Sequence, residues 1–324
     1  MSPLSARALW IASPGRAEIR EETLDRRLTD DVLVRATYSG VSRGTEALVF
    51  SGRVPASEYA RMRAPFQVGE FPGPVKYGYS SVGVVEDGPD DLRGRTVFVL
   101  YPHQTRYVVP AGAVHVVPDD VPPRRAVLAA NLETAVNGIW DARLQVGDRV
   151  VVIGAGVVGC LVAWLAARVP GVEVQLVDLN ASRESIARIL GVPFGSPESI
   201  VSDPDLVVHT SGSASGLESA LAIAGFESTI VDLSWYGTER VTLPLGEAFH
   251  SKRLTLKASQ VGHVAASRRS RWDPRRRMEL ALRLLADPRL DAAISGESAF
   301  EDLPNVMPRI TAAPAEALCH CIRY

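Results

Sequence analysis

Three cysteines in 324 residues, Cys160, Cys319 and Cys321, are too few and too unevenly spaced for a disulfide framework, and no C-x-x-C or paired-histidine spacing offers a metal site by itself. A reducing cytoplasm is the compartment this suits. Lysine is as scarce: only Lys76, Lys252 and Lys257 occur, so 32 of the 35 basic residues are arginine. That skew reads as coding bias, and arginine clusters are discounted accordingly. Net charge is also lacking. At −2 the chain has no bulk attraction for a polyanion or an anionic lipid surface, so neither nucleic acid nor a membrane is expected as partner. The amino terminus, Met1 to Arg7, reaches only a short apolar run before Pro14 and Gly15 and shows no secretory signal. There is no internal repeat and no low-complexity linker. One uncharged run, Val150 to Ala167, reaches the 18-residue threshold for a membrane span, but Gly154, Gly156 and Gly159 divide it into a β-branched run and a helix-forming run.

What is present suits two soluble domains, with 46% apolar residues. Residues 1–125 read as short β segments: Ala8 to Ile11, Val32 to Tyr38, Ser80 to Glu86, Thr96 to Leu100, Tyr107 to Val109 and Val114 to Val117. From about Arg124 strand and helix alternate. A helix over Ala126 to Ala142 precedes six strand candidates: Arg149 to Ile153, Val174 to Val177, Val192 to Phe194, Leu206 to His209, Thr229 to Leu233 and Leu254 to Lys257. Six parallel strands with crossover helices make a doubly wound α/β sheet. A helix over Arg275 to Ala286 and a strand over Ala317 to Ile322 follow, the last expected to return to the first domain. The expected division is therefore 1–125 with 262–324 as one discontinuous domain, and 126–261 inserted between its parts, with the active site in the cleft between the two.

Gly154-Ala155-Gly156-Val157-Val158-Gly159 is a G-x-G-x-x-G run with a strand before it and an apolar helix after it, and Asp178 ends the next strand 19 residues on. Gly154 allows the tight turn, Gly156 lets backbone approach a pyrophosphate, and Gly159 lets helix pack on strand, while the helix N-terminus offers N–H groups to phosphate. Asp178 would accept hydrogen bonds from a free ribose diol and repel a 2′-phosphate, which favours NAD(H) over NADP(H). Arg183 could pair with such a phosphate, lie along the adenosine, or be a solvated residue at a helix start.

The order of these parts resembles the medium-chain dehydrogenase/reductase superfamily, the alcohol and polyol dehydrogenase group, over essentially the whole chain. The resemblance implies a GroES-like β-rich catalytic domain beside a Rossmann domain with a six-stranded sheet, and a homodimer. Gly40-Val41-Ser42 is similar to the segment carrying the first catalytic-zinc cysteine, Gly78-Tyr79-Ser80 to the Gly-His-Glu segment, and Ala130 to Ala135 to the helix start carrying the last ligand. Ser42 (or Arg43, one register on) replaces Cys, Tyr79 replaces His, Ser80 replaces Glu, and Ala130 replaces Glu or Cys. Such residues cannot bind zinc at neutral pH, so no zinc is expected. The lobe that carries structural zinc in the family has no room in the nine residues between Val97 and Tyr107. Ser39 to Glu46 and Gly78 to Gly83 look most like the bacteriochlorophyllide 3-hydroxyethyl dehydrogenases, which oxidise a secondary alcohol.

Without zinc, a hydride-transfer site needs a proton donor or acceptor and hydrogen-bond donors aimed at the substrate oxygen. Tyr79, at a former ligand position, is the first candidate; filling the vacated space is its alternative role. Thr45 is similar to the family's relay Ser/Thr, and could instead cap a helix. Glu133 could act as an acid if a dry site raises its pKa, or complement a helix dipole. His103, in the shortened loop, is the histidine singled out; His115, His209, His250, His263 and His320 read as strand or loop residues. The resemblance also implies cofactor contacts at Thr134, Thr210, Ser211, Ser234, Trp235, Tyr236, Ala258, Ser259 and Gln260. Six arginines between Arg268 and Arg277, opposed only by Asp273, would be offset by an anionic group on a small-molecule substrate, by an acidic partner subunit, or by solvent.

The expected activity is an NAD(H)-dependent, zinc-independent hydride transfer between a secondary alcohol and its ketone. A carbon–carbon double-bond reductase of the enoyl or quinone type, and an inert NAD-binding sensor or structural protein, are the alternatives.

Overall fold

The computed structural model describes residues 4–24, 29–312 and 317–324; Met1, Ser2 and Pro3, part of the terminus read above for a leader, lie outside them. The chain forms two compact units, one of Met1–Ala130, Leu282–Pro288 and Ile294–Tyr324, the other of Asn131–Ala281 and Arg289–Ala293.

In the first unit the strand Asp31–Ser42 is the hub of a seven-stranded sheet. It pairs antiparallel with Ser81–Asp87, with Arg106–Pro110 and with the final strand Cys319–Arg323, which in turn lies parallel to Ile294–Ala299. Val32, Val34 and Ala36 alternate inward from that strand and pack with Val85, Val97, Val99, Tyr107 and Val109. A second sheet of four strands contains Ser5–Ser13 paired with Arg16–Thr23, and the two-residue strands Val75–Lys76 and Val68–Gly69. Three of those four escape the sequence pattern: Arg16–Thr23 carries five charged residues and no fully buried one, and the others are too short for a period to show.

The second unit holds six parallel strands in the order Phe194–Gly195, Glu173–Val177, Arg149–Ile153, Leu206–His209, Thr229–Asp232 and Thr255–Ala258. This is the doubly wound order with its switch point between Arg149–Ile153 and Leu206–His209, whose carboxyl ends flank a ligand crevice. The 18-residue apolar run divides into the strand Arg149–Ile153 and the helix Val157–Ala166, and among the described residues no helix is long and apolar enough to cross a membrane.

The single helix expected over Ala126 to Ala142 is two. Pro123–Ala126 ends as the chain turns at Val127 and Leu128, and Ala129–Ala142 follows. The Val127 carbonyl accepts the Ser80 hydroxyl at 2.5 Å, which spends one acceptor that a continuous helix would use internally.

Candidate functional site

The fingerprint turn follows the strand Arg149–Ile153. Gly154 has φ +107°, a conformation closed to most side chains, and a Cβ there would run into the backbone of Ser211. A Cβ on Gly159 would overlap the Gly154 carbonyl oxygen, so the helix sits directly on the turn. Gly156 differs: a Cβ there would meet nothing within 4 Å, so this backbone faces open space. Gly156 is also the N-cap of Val157–Ala166 and no side chain caps that helix, so the N–H groups of its first turn, on Val157, Val158 and Gly159, are placed to receive an anion. Thr210 braces the turn by donating to the Gly154 carbonyl at 2.7 Å.

Asp178 ends the second strand. Its carboxylate accepts the Ala155 N–H at 2.6 Å and the Asn180 N–H at 2.8 Å, which ties the fingerprint to the adjoining strand end. Arg183 is buried, 7% exposed, and is not the solvated residue its sequence position allowed. Burial pushes the Cys160 thiol up to about 12, with the Arg183 guanidinium opposing and Asp178 adding to the rise, so all three groups share one neighbourhood.

The other residues carried over for cofactor contact fall into two hydrogen-bonded groups. Ser211, Ser234 and Tyr236 surround His209. Ser259 donates to Asp141 at 2.8 Å, beside the Lys257 to Asp141 ion pair of the same length. Trp235 is half-buried after the strand Thr229–Asp232, and Gln260 accepts the Gly262 N–H. Thr134 lies half-buried on the helix Ala129–Ala142.

In the first unit Tyr79 is half-buried with Ser42, Thr45, Glu46 and Cys319 around it. Burial first, and the Glu46 carboxylate second, push its phenol well above the usual range, against the Ser42 and Thr45 hydroxyls, which favour the ionised form. Thr45 is no helix cap. The helix Arg43–Phe50 begins two residues before it, with Ser42 as N-cap. The Ser42 side chain makes no capping bond; instead Glu46 reaches back to accept the Ser42 N–H at 2.8 Å.

His103 stands in no open loop. Its ring is enclosed, with Nε2 2.9 Å from Glu46 and Nδ1 2.7 Å from the Ser39 hydroxyl, which lies 2.9 Å from the Tyr324 hydroxyl. A Cβ on Gly78 would crowd that ring and the backbone of Pro102 and His103 at 3.1 Å, so the glycine beside Tyr79 gives His103 room. Glu133 is equally committed. It accepts from Arg277, itself 2% exposed, which also donates to Asn137 and to the Val261 carbonyl, each at 2.5 Å. Burial raises the Glu133 pKa, while the Arg277 charge and hydrogen bond oppose the rise.

Of the arginine cluster, then, Arg277 is a core residue. Arg276 lies over the Trp272 ring and donates its backbone N–H to the Asp273 carboxylate, Arg275 pairs with Glu279, and Arg268 lies over Trp140. What sequence reading missed is that Glu46 and His209 are hubs. A lone histidine closing the apolar strand Leu206–His209 beside the switch point was the available signal.

No family model matches the chain. It is 25% identical to D-guloside 3-dehydrogenase of Escherichia coli over 305 residues, 85% of this chain and 87% of that protein. With 2-dehydro-3-deoxy-L-galactonate 5-dehydrogenase of Pseudoalteromonas atlantica it shares 30% identity over 146 residues, a match that spans 42% of each chain. A crystal structure described as a putative zinc-binding dehydrogenase from Sinorhizobium meliloti bound to NADP superposes with a TM-score of 0.79 at 18% identity, covering 99% of this chain and 100% of that one. Fold, fingerprint and relatives agree in their likeness to alcohol and polyol dehydrogenases, which supports membership of the medium-chain dehydrogenase/reductase superfamily.

Proposed function

We propose that the chain is an NAD(H)-dependent oxidoreductase that interconverts a secondary alcohol and its ketone without a catalytic zinc ion. The observation that carries this is the fingerprint: a positive-φ Gly154, open backbone at Gly156, an uncapped helix start and Asp178 at the next strand end together fit a dinucleotide. Gly154, Gly156 and the first helical turn would hold its pyrophosphate, and Asp178 its adenosine ribose. When bound, the nicotinamide supplies or receives the hydride.

Zinc fits poorly. It needs thiolate, imidazole or carboxylate donors. Tyr79 is surrounded by two hydroxyls, a Cys319 thiol that burial holds protonated, and a Glu46 carboxylate already engaged by Ser42 and His103. Among the described residues no three His, Cys, Asp or Glu side chains gather as a metal site. In the metal's place the Tyr79 hydroxyl gives its proton to the substrate oxygen during ketone reduction and takes it back in the reverse sense. Its raised pKa keeps it a phenol at neutral pH, which suits the donor role.

The relatives' names speak of sugar-derived substrates, so a screen starts with polyols, sugar acids, glycosides and the matching ketones. Titration with NADH and NADPH comes first. Tighter NADH binding, and turnover that survives a chelator, are the expected results. An NADPH preference contradicts the cofactor assignment, chelator-sensitive turnover contradicts the zinc-free site, and binding without turnover across the screen favours an inert NAD-binding protein.

A further inference from the structure

The strand Thr255–Ala258 runs at its carboxyl end into a segment that the proposed chemistry does not use. Gln260, Gly262 and His263 are exposed and form no helix or strand, yet the segment is tied down along its length. At its start the Ser259 hydroxyl donates to Asp141 at 2.8 Å. At its end the Ala265 N–H donates to Asn137 Oδ1 at 3.1 Å. Between them the Val261 carbonyl accepts Arg277 Nη2 at 2.5 Å, and the His263 carbonyl accepts Nη1 more loosely at 3.4 Å. The same guanidinium donates from Nη1 to Asn137 Oδ1 at 2.5 Å and from Nε to Glu133 at 3.0 Å. The helix Ala129–Ala142 supplies three of these anchors, Asp141 and Asn137 directly and Glu133 through Arg277.

Stability alone accounts poorly for this arrangement. Arg277 is 2% exposed, and desolvating a guanidinium and a carboxylate costs so much that apolar side chains of the same volume commonly hold a core as well or better. Apolar side chains cannot grip carbonyls. A guanidinium presents five N–H donors in a rigid planar fork, and its charge makes each bond stronger than a neutral one. Of the four acceptors that Arg277 engages, two are main-chain carbonyls of the exposed segment, so what the buried charge fixes is the shape of that segment.

The sheet order gives that shape a use. Asp178, after Glu173–Val177, and the phosphate turn, after Arg149–Ile153, would take the adenosine and the pyrophosphate. The other half of a dinucleotide then extends toward Leu206–His209, Thr229–Asp232 and Thr255–Ala258, whose carboxyl ends follow in that order. We propose that Arg277 is a positioning residue for the nicotinamide half of the cofactor: it touches no ligand, and through the Val261 and His263 carbonyls it holds residues 259–265 in their binding shape before the cofactor arrives. This rests on the NAD(H) reading above. Ordering the segment during binding would lower affinity, and order set beforehand avoids that loss.

The test compares NADH with ADP-ribose, the same dinucleotide without its nicotinamide, by calorimetric titration of the full chain in wild type and Arg277→Lys. The lysine keeps a charge beside Glu133 but replaces the fork by a single ammonium. It is expected to lose about tenfold in NADH affinity, the worth of one well-placed hydrogen bond, while ADP-ribose stays within about twofold. Equal losses for the two ligands, or no loss for either, overturn the proposal and leave Arg277 a part of the core. Should Arg277→Lys fail to fold, hydrogen exchange on wild type decides: NADH should slow the amides of 259–265 and ADP-ribose should not. Protection by both ligands, or by neither, overturns the proposal. If neither ligand binds wild type, the cofactor reading falls and this inference with it, an outcome told apart because ADP-ribose binding does not depend on the segment.

Discussion

Arg277 Nε and Glu133 Oε1 stand 3.0 Å apart in an ion pair whose side chains are 2% and 6% exposed. The pair sits at the start of a ladder on one helix face, Glu133, Asn137 and Asp141, spaced four residues apart and bonded to Arg277, Lys257 and Ser259. Arg277→Met leaves the carboxylate buried and unpaired, and should cost about 3–5 kcal/mol in urea unfolding. The sign with pH follows from the raised Glu133 pKa: the folded state binds a proton more readily than the unfolded chain, so stability falls as pH rises through that value. Without Arg277 the rise is larger, and the deficit of the variant should shrink as the solution is acidified. A deficit that does not change with pH would place the loss in packing alone.

The three fingerprint glycines should separate by experiment. Gly159→Ala forces a methyl into the Gly154 carbonyl and should cost about 1–3 kcal/mol. Gly156→Ala meets no protein atom and should stay within about 1 kcal/mol of wild type in unfolding, yet weaken NADH in a fluorescence titration. Equal NADH affinity in Gly156→Ala and wild type would mean that no ligand backbone approaches there.

Removing the proton from Tyr79 tests the chemistry. Tyr79→Phe keeps the ring and should lower kcat by about 10²–10⁴ with a smaller change in KM, on any substrate the screen identifies. Because burial and Glu46 hold the phenol protonated, ketone reduction in the wild type should show no loss from Tyr79 ionisation on the alkaline side of neutrality. Full activity in Tyr79→Phe would reduce the residue to a space filler.

Ser39→Ala removes the bridge between His103 and Tyr324 while leaving the His103 to Glu46 contact in place. Buried groups stripped of a partner cost about 1–3 kcal/mol each, so the variant should unfold at distinctly lower urea. An unchanged midpoint would show that the ring and the phenol find other partners.

The parallel sheet was legible because its inner strands are rich in Val, Ile and Leu and the fingerprint glycines have fixed tasks; Leu206–His209 falls on the very residues expected. The edge strand Arg16–Thr23 was not, since its charged residues keep no period. Site residues were legible only as positions. Tyr79, Thr45, Glu133 and His103 can each be found in sequence, but whether a carboxylate or an imidazole is free depends on partners distant in the chain. Arg277 lies 144 residues from Glu133, and His103 lies 57 from Glu46. Composition was silent on burial: of the six arginines singled out between Arg268 and Arg277, Arg277 is the enclosed member, which neither charge nor spacing tells.

The pairing of Cys319–Arg323 with Tyr38–Ser42 gives the chain an order of assembly. The strand that leads into the helix beside Tyr79 waits for residues some 280 positions later, whereas nearly all of the doubly wound sheet is drawn from one continuous stretch. During synthesis that sheet can close first, while the hub strand keeps one edge unpaired until the last strand emerges. The surroundings of Tyr79 are thus completed after the doubly wound sheet, and a chain cut short before Cys319 should be caught by chaperones rather than accumulate as a half-active enzyme.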